Sequence, residues 1–222
     1  MYNYIKNLKD NTPLNDEFYF KSLINDAMSF DVFKKSQTNF YSAVCYFSRP
    51  LFMLCSRIDS YSERLSILEN IFDEHGNGEI DKAHGKTYKQ YLINLGVKEQ
   101  KIKENEFHIS VKNFFSKVDD VVRNDDLQKA IAMYGIIEDR YTIISSIIAK
   151  TLLKNNWLDE SKLAHYLVHE EIDMYHSKLF YDLIEKKWFE NSSNIQIKEG
   201  LNIGNKLILK LFNELLLDNS EA

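Results

Sequence analysis

The sequence predicts an all-α protein, and three observations support that class. The 222 residues include only two prolines and seven glycines, so few residues interrupt helices. Apolar residues recur at three- and four-residue steps over long stretches, which is the period of an amphipathic helix. No long stretch shows the alternation of apolar and polar residues typical of a β-strand. About eight helices are predicted, at residues 15–27, 31–58, 60–75, 80–95, 109–121, 125–155, 159–190 and 201–217.

The helix region 31–58 is one helix or two, because Pro50 lies inside it. Proline cannot donate a backbone hydrogen bond, so Pro50 marks a kink or a boundary. Within this region, the stretch 40–58 is apolar on nearly all sides. That pattern predicts a helix that is buried in the protein interior.

The next elements are delimited by capping residues and glycines. Ser60 or Ser62 can cap the helix that follows it. The glycine-rich segment 76–78 breaks that helix, and Gly96 is a C-terminal stop for the next one. The charged segment 97–107 is predicted to be a loop.

Two long helices occupy the second half of the chain. The helix at 125–155 carries an uninterrupted apolar stripe, and Asp159 can cap the helix after it. The connection at 155–158 is short, so the two helices are expected to be antiparallel neighbours. The polar segment 191–194 is predicted to be a loop before the final amphipathic helix.

Composition limits the functions that the chain can have. The net charge is -5, which does not provide a basic face for nucleic acid. The sequence lacks a run of about 18 apolar residues and an N-terminal leader, so neither a membrane span nor export is expected. Cys45 and Cys55 are expected to be reduced core residues in a cytoplasmic protein. We expect one domain over residues 1–222, with flexible ends at 1–12 and 218–222.

The main sequence feature is a set of ligand-type residues on the helix at 159–190. His169, Asp173 and His176 are spaced i, i+4 and i+7, so they share one helix face. Two imidazoles and a carboxylate on one face suit iron, manganese or zinc. The alternative is a solvated polar stripe with incidental histidines.

Further ligands are expected from other helices. Glu138 continues the apolar stripe of its helix, and a buried carboxylate needs a cation or a proton. The alternative is a salt bridge, for example a surface pair with Arg140. Glu74 and His84 are ten positions apart across the glycine-rich break, with Asp81 as a rival to Glu74. These residues could instead be capping charges at a helix end.

In this order the residues resemble those of the haem-oxygenase-like di-iron oxidases and oxygenases, often called iron-containing redox enzymes. The resemblance covers residues 35–190, roughly. It implies a seven- to eight-helix bundle like that of haem oxygenase, without haem. It also implies two Fe2+ ions per chain, O2 as co-substrate and, frequently, a homodimer. The ligands implied are Glu74, His84, Glu138, His169, Asp173 and His176.

The resemblance further implies oxidative C–H or C–C cleavage of a small amino- or fatty-acid-like substrate. N-oxygenating members carry an extra carboxylate on an upstream helix. Here the matching helix, 39–58, has no acidic residue before Asp59, so N-oxygenation is not expected. Tyr134, Arg49 and Tyr41 are candidates for substrate binding, although ordinary core packing or surface exposure also explains them.

Two other functions stay open from the sequence. A cofactorless or thiaminase-like member of the same fold typically needs a catalytic cysteine, and the chain has two cysteines. A non-enzymatic helical interaction protein would use the polar residues as buried salt bridges. Neither alternative explains why six ligand-type residues occur in this order.

Overall fold

The computed structural model describes residues 1–103 and 107–217, of which 164 and 167–173 are described as backbone only. Within these residues the chain forms eleven α-helices and no β-strand, which confirms the predicted class. The helices are α1 (Tyr2–Asp10), α2 (Phe18–Ile24), α3 (Phe30–Tyr46), α4 (Ser48–Ser56), α5 (Tyr61–Glu74), α6 (His84–Asn94), α7 (Glu99–Lys103), α8 (Ile109–Asn124), α9 (Leu127–Lys154), α10 (Ala164–Glu185) and α11 (Asn191–Glu214).

Helix α9 is the central element and packs against both α10 and α11. Early in α9, Tyr134 stacks on Phe180 near the end of α10. One turn after Glu138, Tyr141 contacts Tyr166 near the start of α10. The two helices therefore run antiparallel, as the short connection predicts. Each residue of α9 that faces α10 therefore lies opposite a definite position of α10.

Helix α11 approaches α9 closely because it carries two glycines one turn apart. A Cβ atom on Gly204 would lie 2.4 Å from the carbonyl oxygen of Met133. A Cβ atom on Gly200 would lie 2.2 Å from the carbonyl oxygen of Lys129. Both distances are too short for a real contact, so the backbones meet directly at these positions.

The region 31–58 forms two helices. The break falls at Phe47, and Pro50 lies in the first turn of α4, where a missing amide hydrogen has little cost. The predicted loop at 191–194 is wrong, because these residues are the first turn of α11. There the hydroxyl of Ser193 bonds the carboxylate of Glu190 just before the helix, so polar residues at a helix start were mistaken for a loop.

Two other boundaries differ from the sequence prediction. Asp159 precedes a short 3₁₀ turn, Glu160–Lys162, and α10 begins only at Ala164. Part of the predicted loop 97–107 is the short helix α7, in which Ile102 is buried. Residues 104–106 lie outside the described residues.

Most of the segment 1–12, expected to be a flexible end, forms helix α1 (Tyr2–Asp10). Ile5 is buried in the core, and Lys9 makes an ion pair of 2.7 Å with Asp139 on α9. One buried apolar residue and a partly buried ion pair therefore tie this helix to the bundle. The other expected flexible end, 218–222, lies outside the described residues. No helix in the described part of the chain has both the length and the apolarity needed to cross a membrane.

Candidate metal centre

A narrow cavity of about 50 Å³ lies inside the bundle, beside α9. Four residues of the ligand types discussed above line it: Glu74 from α5, His84 from α6, Glu138 from α9 and His165 from α10. The rest of the described wall is apolar except for Tyr141. Its apolar residues are Phe40, Ala43, Val44, Phe47, Phe114, Phe115, Ile137, Ile208 and Leu211.

The glycine-rich break brings Glu74 and His84 together. Oε1 of Glu74 lies 2.9 Å from Nδ1 of His84, and each side chain is 8% exposed. Gly76 and Gly78 both have positive φ, which lets the chain reverse direction between α5 and α6. The rival residue Asp81 is exposed and lines a different, open cleft. The geometry therefore favours Glu74 over Asp81.

Glu138 is buried, 3% exposed, and accepts a hydrogen bond of 2.9 Å from Nδ2 of Asn70. The alternative of a surface pair with Arg140 is wrong. Arg140 is also buried, and it donates to Oδ1 of Asn205 and to the carbonyl oxygen of Thr12. The carboxylate of Glu138 is thus held inside the bundle, where a cation would stabilise it.

Of the triplet on α10, only His176 has a described side chain. His176 is fully buried, and its Nε2 lies 2.9 Å from Oδ2 of Asp73. Its Nδ1 is buried and has no hydrogen-bond partner in the described part of the chain. His169 and Asp173 lie on α10, but their side chains are outside the described residues.

Two residues of α5 near this centre, Asn70 and Asp73, were not predicted from the sequence. Asn70, Asp73 and Glu74 are spaced i, i+3 and i+4 on α5, so they share a face. Each bonds a candidate ligand from a different helix: α9, α10 and α6, respectively. The spacing was visible in the sequence, but which partners it meets was not. His165, one turn before His169, was also missed; its Nδ1 lies 3.0 Å from Oγ1 of Thr87.

The donor set fits iron. Carboxylates and imidazoles together suit iron and manganese better than an all-oxygen or all-sulfur metal site. The partnerless, fully buried Nδ1 of His176 is a nitrogen that a metal ion would satisfy. Among the residues that the structure describes, no three His, Cys, Asp or Glu side chains already form a ready cluster for a metal ion.

Tyr134 is buried one turn before Glu138, between the rings of Phe47 and Phe180. Its hydroxyl has no hydrogen-bond partner in the described residues. Burial raises the pKa of Tyr134 well above its usual value. The nearby carboxylates of Asp119 and Glu138 raise the pKa of Tyr134 further. The phenol is therefore neutral at ordinary pH, and its hydroxyl is a hydrogen-bond donor.

None of the three candidates for substrate binding is among the described residues that line the cavity. Tyr41 contacts Cys45, and burial raises the pKa of the Tyr41 hydroxyl above its usual range. Arg49 is exposed, and its guanidinium lies 5.2 Å from the ring centre of Tyr46. A role for either residue in substrate binding stays a prediction.

Solved structures share this helical architecture across nearly the whole chain. A domain of unknown function with a haem-oxygenase-like fold from Shewanella denitrificans OS217 aligns over 95% of this chain and 88% of its own, with 9% identity and a TM-score of 0.76. A CADD-like protein of unknown function from Nostoc punctiforme PCC 73102 aligns over 96% of both chains, with 13% identity and a TM-score of 0.76. A TenA homologue from Pseudomonas syringae pv. tomato str. DC3000 aligns over 91% of this chain and 85% of its own, with 12% identity and a TM-score of 0.66.

The chain thus has the haem-oxygenase-like fold. It belongs to the family described as iron-containing redox enzymes, which matches residues 35–194. The resemblance seen in the sequence is therefore confirmed at the level of the family. A comparison with curated proteins finds no match.

Proposed function

We propose that this protein is a non-haem di-iron oxidase or oxygenase that uses O2 for oxidative C–H or C–C cleavage of a small amino- or fatty-acid-like substrate. The observation that carries the proposal is the cavity that Glu74, His84 and Glu138 line together. We propose that these residues and His169, Asp173 and His176 hold two Fe2+ ions. Bound iron would supply the redox chemistry that O2 activation requires.

The protein's own contribution is a dry, shaped cavity beside the ligands. Its described wall is almost wholly apolar, so it excludes water and accommodates an apolar part of a substrate. No lysine or arginine is among the described lining residues, so the carboxylate of either substrate class would lack a cationic side-chain partner, and a free amino acid would bring its ammonium group as a second charge into an almost wholly apolar wall. An aliphatic, fatty-acid-like substrate is therefore favoured over a free amino acid.

The wall contributed by α3 supports carbon rather than nitrogen oxidation. In the sequence, residues 39–58 include no acidic residue, and the first one is Asp59. The residues from α3 and its C-terminal cap that line the cavity agree with this, because none of them carries a carboxylate. They are Phe40, Ala43, Val44 and Phe47. An additional anionic ligand from this helix is therefore not expected.

The TenA homologue among the structural neighbours raises the cofactorless, thiaminase-like alternative. The cysteines do not favour it. Desolvation raises the pKa of the thiols of both Cys45 and Cys55, so both stay protonated near neutral pH. Neither cysteine is among the described residues of the cavity wall. The third alternative, a non-enzymatic interaction protein, would use the pairs Glu74–His84 and Asp73–His176 as salt bridges, but it does not account for the apolar cavity beside them.

Anaerobic Fe2+ titration followed by exposure to O2 tests the proposal. We expect up to two Fe2+ per chain, held weakly enough that a freshly purified sample carries fewer. We also expect O2 uptake that depends on a substrate from a panel of fatty acids, amino acids and amines. The His84→Ala variant is the matched negative control. An absence of Fe2+ binding, or stable two-iron loading with N-oxygenated amine products, would contradict the proposal.

A further inference from the structure

We propose that Asp73 is a positioning residue for His176, holding its ring so that Nδ1 rather than Nε2 is the nitrogen offered to the metal. The inference rests on the proposed function, because it concerns one of the proposed ligands. Its basis is the 2.9 Å contact between Oδ2 of Asp73 and Nε2 of His176. Neither the family match nor the ligand spacing draws attention to Asp73.

The contact fixes which nitrogen carries the hydrogen. An ionised carboxylate can only accept, so Nε2–H of His176 is the donor. In a neutral imidazole the other nitrogen, Nδ1, then presents a lone pair. A metal-binding histidine needs such a lone pair, and a carboxylate on the opposite nitrogen orients the ring and increases its basicity.

The surroundings of Nδ1 agree with this assignment. The side chain of His176 is fully buried, and Nδ1 has no hydrogen-bond partner in the described residues. A buried acceptor without a partner costs about 1–3 kcal/mol. A metal ion at Nδ1 would remove that cost. In the other neutral tautomer the proton would be on Nδ1. The hydrogen bond to Asp73 would then be lost, and the lone pair of Nε2 would face the carboxylate of Asp73.

The position of Asp73 favours a supporting role over direct ligation. Its side chain is 19% exposed, whereas the neighbouring Glu74 is 8% exposed and lines the cavity. Asp73 therefore lies towards the outside of the same helix face. Its tie to His176 links α5 to α10 and restricts rotation of the imidazole ring.

The first measurement uses the metal-free wild-type protein, and a single variant is needed only to assign the signal. Long-range ¹H–¹⁵N correlation spectra of the metal-free protein with ¹⁵N-labelled histidine report which nitrogen of each ring is protonated, and His176→Asn assigns the signal. We expect His176 to carry its proton on Nε2. A proton on Nδ1 in the metal-free wild type would overturn the proposal.

The second measurement compares Asp73→Leu, which removes the acceptor, with Asp73→Asn, which keeps an acceptor oxygen at the same place. We expect Asp73→Leu to lose the single Nε2–H form and to weaken Co2+ or Fe2+ binding about 10- to 100-fold. Asp73→Asn should recover most of both properties. Glu63→Leu, an exposed position on α5, is the matched control and should leave both unchanged. Urea unfolding of each metal-free variant shows that it is folded.

The outcomes separate this inference from the proposed function. A wild type that binds neither metal contradicts the proposed function. If the wild type binds metal, His176→Ala weakens that binding and Asp73→Leu does not, only the role of Asp73 is wrong. A third outcome is that Asp73→Leu and Asp73→Asn each bind one metal ion fewer than the wild type, while His176 keeps its proton on Nε2. That result would make Asp73 a ligand and would also overturn the inference.

Discussion

Nδ2 of Asn70 donates a 2.9 Å hydrogen bond to Oε1 of Glu138, and both side chains are buried. This bond holds the carboxylate that α9 directs into the interior, and it ties α5 to α9. A neutral amide donor is a suitable partner here, because it satisfies one carboxylate oxygen without neutralising the charge.

Replacing Asn70 with leucine removes this donor with little change of volume. Hydrogen bonds to charged groups contribute about 1.5–3 kcal/mol, so the free energy of unfolding of the metal-free protein should fall by about that amount. Urea unfolding followed by circular dichroism measures it. The control is Gln90→Leu, which removes an exposed amide bonded to Asn94 and should change stability by less than about 0.5 kcal/mol. Equal losses in the two variants would show that the Asn70 bond has no special weight.

The choice between Glu74 and Asp81 leads to a second prediction. Glu74 contacts His84 inside the bundle, whereas Asp81 is exposed in the turn before α6. We expect Glu74→Gln to weaken Fe2+ binding at least tenfold, roughly the effect of disturbing a metal site. Asp81→Asn, the matched control only seven positions later, should bind Fe2+ as the wild type does. The reverse pattern, measured by anaerobic titration, would assign Asp81 as the ligand.

Local patterns in the sequence were sufficient for the helical class, and they suggested Glu74, with Asp81 as a rival, as the residue that accompanies His84. The glycines between them mark a reversal of the chain, and a reversal is a local property. The partnership of Asp73 with His176 joins residues 103 positions apart. Its recognition requires the packing of α5 against α10, which no local pattern specifies.

The face of α3 shows the same limit at smaller scale. Adjacent residues on a helix differ by about 100° in direction, so an error of one residue exchanges a polar wall for an apolar one. Phe40 and Phe47 are described lining residues of the cavity, whereas Tyr41, which the sequence proposed for substrate binding, is not. On a helix that is mostly apolar, the apolar pattern itself does not identify which side meets the cavity.

A third prediction concerns stability at alkaline pH. Burial raises the pKa of Tyr19 to about 12, although hydrogen bonds with Ser36 and Gln37 oppose the shift. The unfolded chain ionises its tyrosines near pH 10, so the contribution of Tyr19 is complete below pH 10 and is lost between about pH 10 and 12. A shift of about two units corresponds to about 2–3 kcal/mol.

Urea unfolding at a series of pH values measures this loss, and the tyrosinate absorbance of Tyr19, obtained as the difference from Tyr19→Phe, should rise together with unfolding rather than before it. Tyr19→Phe should reduce the slope of stability against pH between pH 10 and 12. Tyr61→Phe, which changes a tyrosine that is 84% exposed, should leave that slope unchanged. A tyrosinate signal from Tyr19 that appears near pH 10 in the folded protein would contradict the burial argument.

The last prediction concerns access to the cavity. His165 is the one described residue that lines both the internal cavity and an open surface cleft of about 620 Å³. Its ring, bonded to Thr87 on α6, therefore forms part of the wall between solvent and the candidate metal centre. Removing the ring in His165→Ala should open this wall, so a hydrophilic chelator should extract Fe2+ severalfold faster than from the wild type. His165→Phe, which keeps a ring, should preserve the slow rate.

Lys86→Ala is the matched control, because Lys86 is a described lining residue of the cleft but not of the cavity. The equilibrium affinity for Fe2+ must be measured together with the extraction rate. His165 lies beside the proposed ligands in the cavity wall, so its loss can also weaken Fe2+ binding. A rate that increases only in proportion to the lost affinity would assign His165 a role in binding alone. A rate that exceeds this proportion, with His165→Phe close to the wild type, identifies the ring as the barrier between the cleft and the cavity.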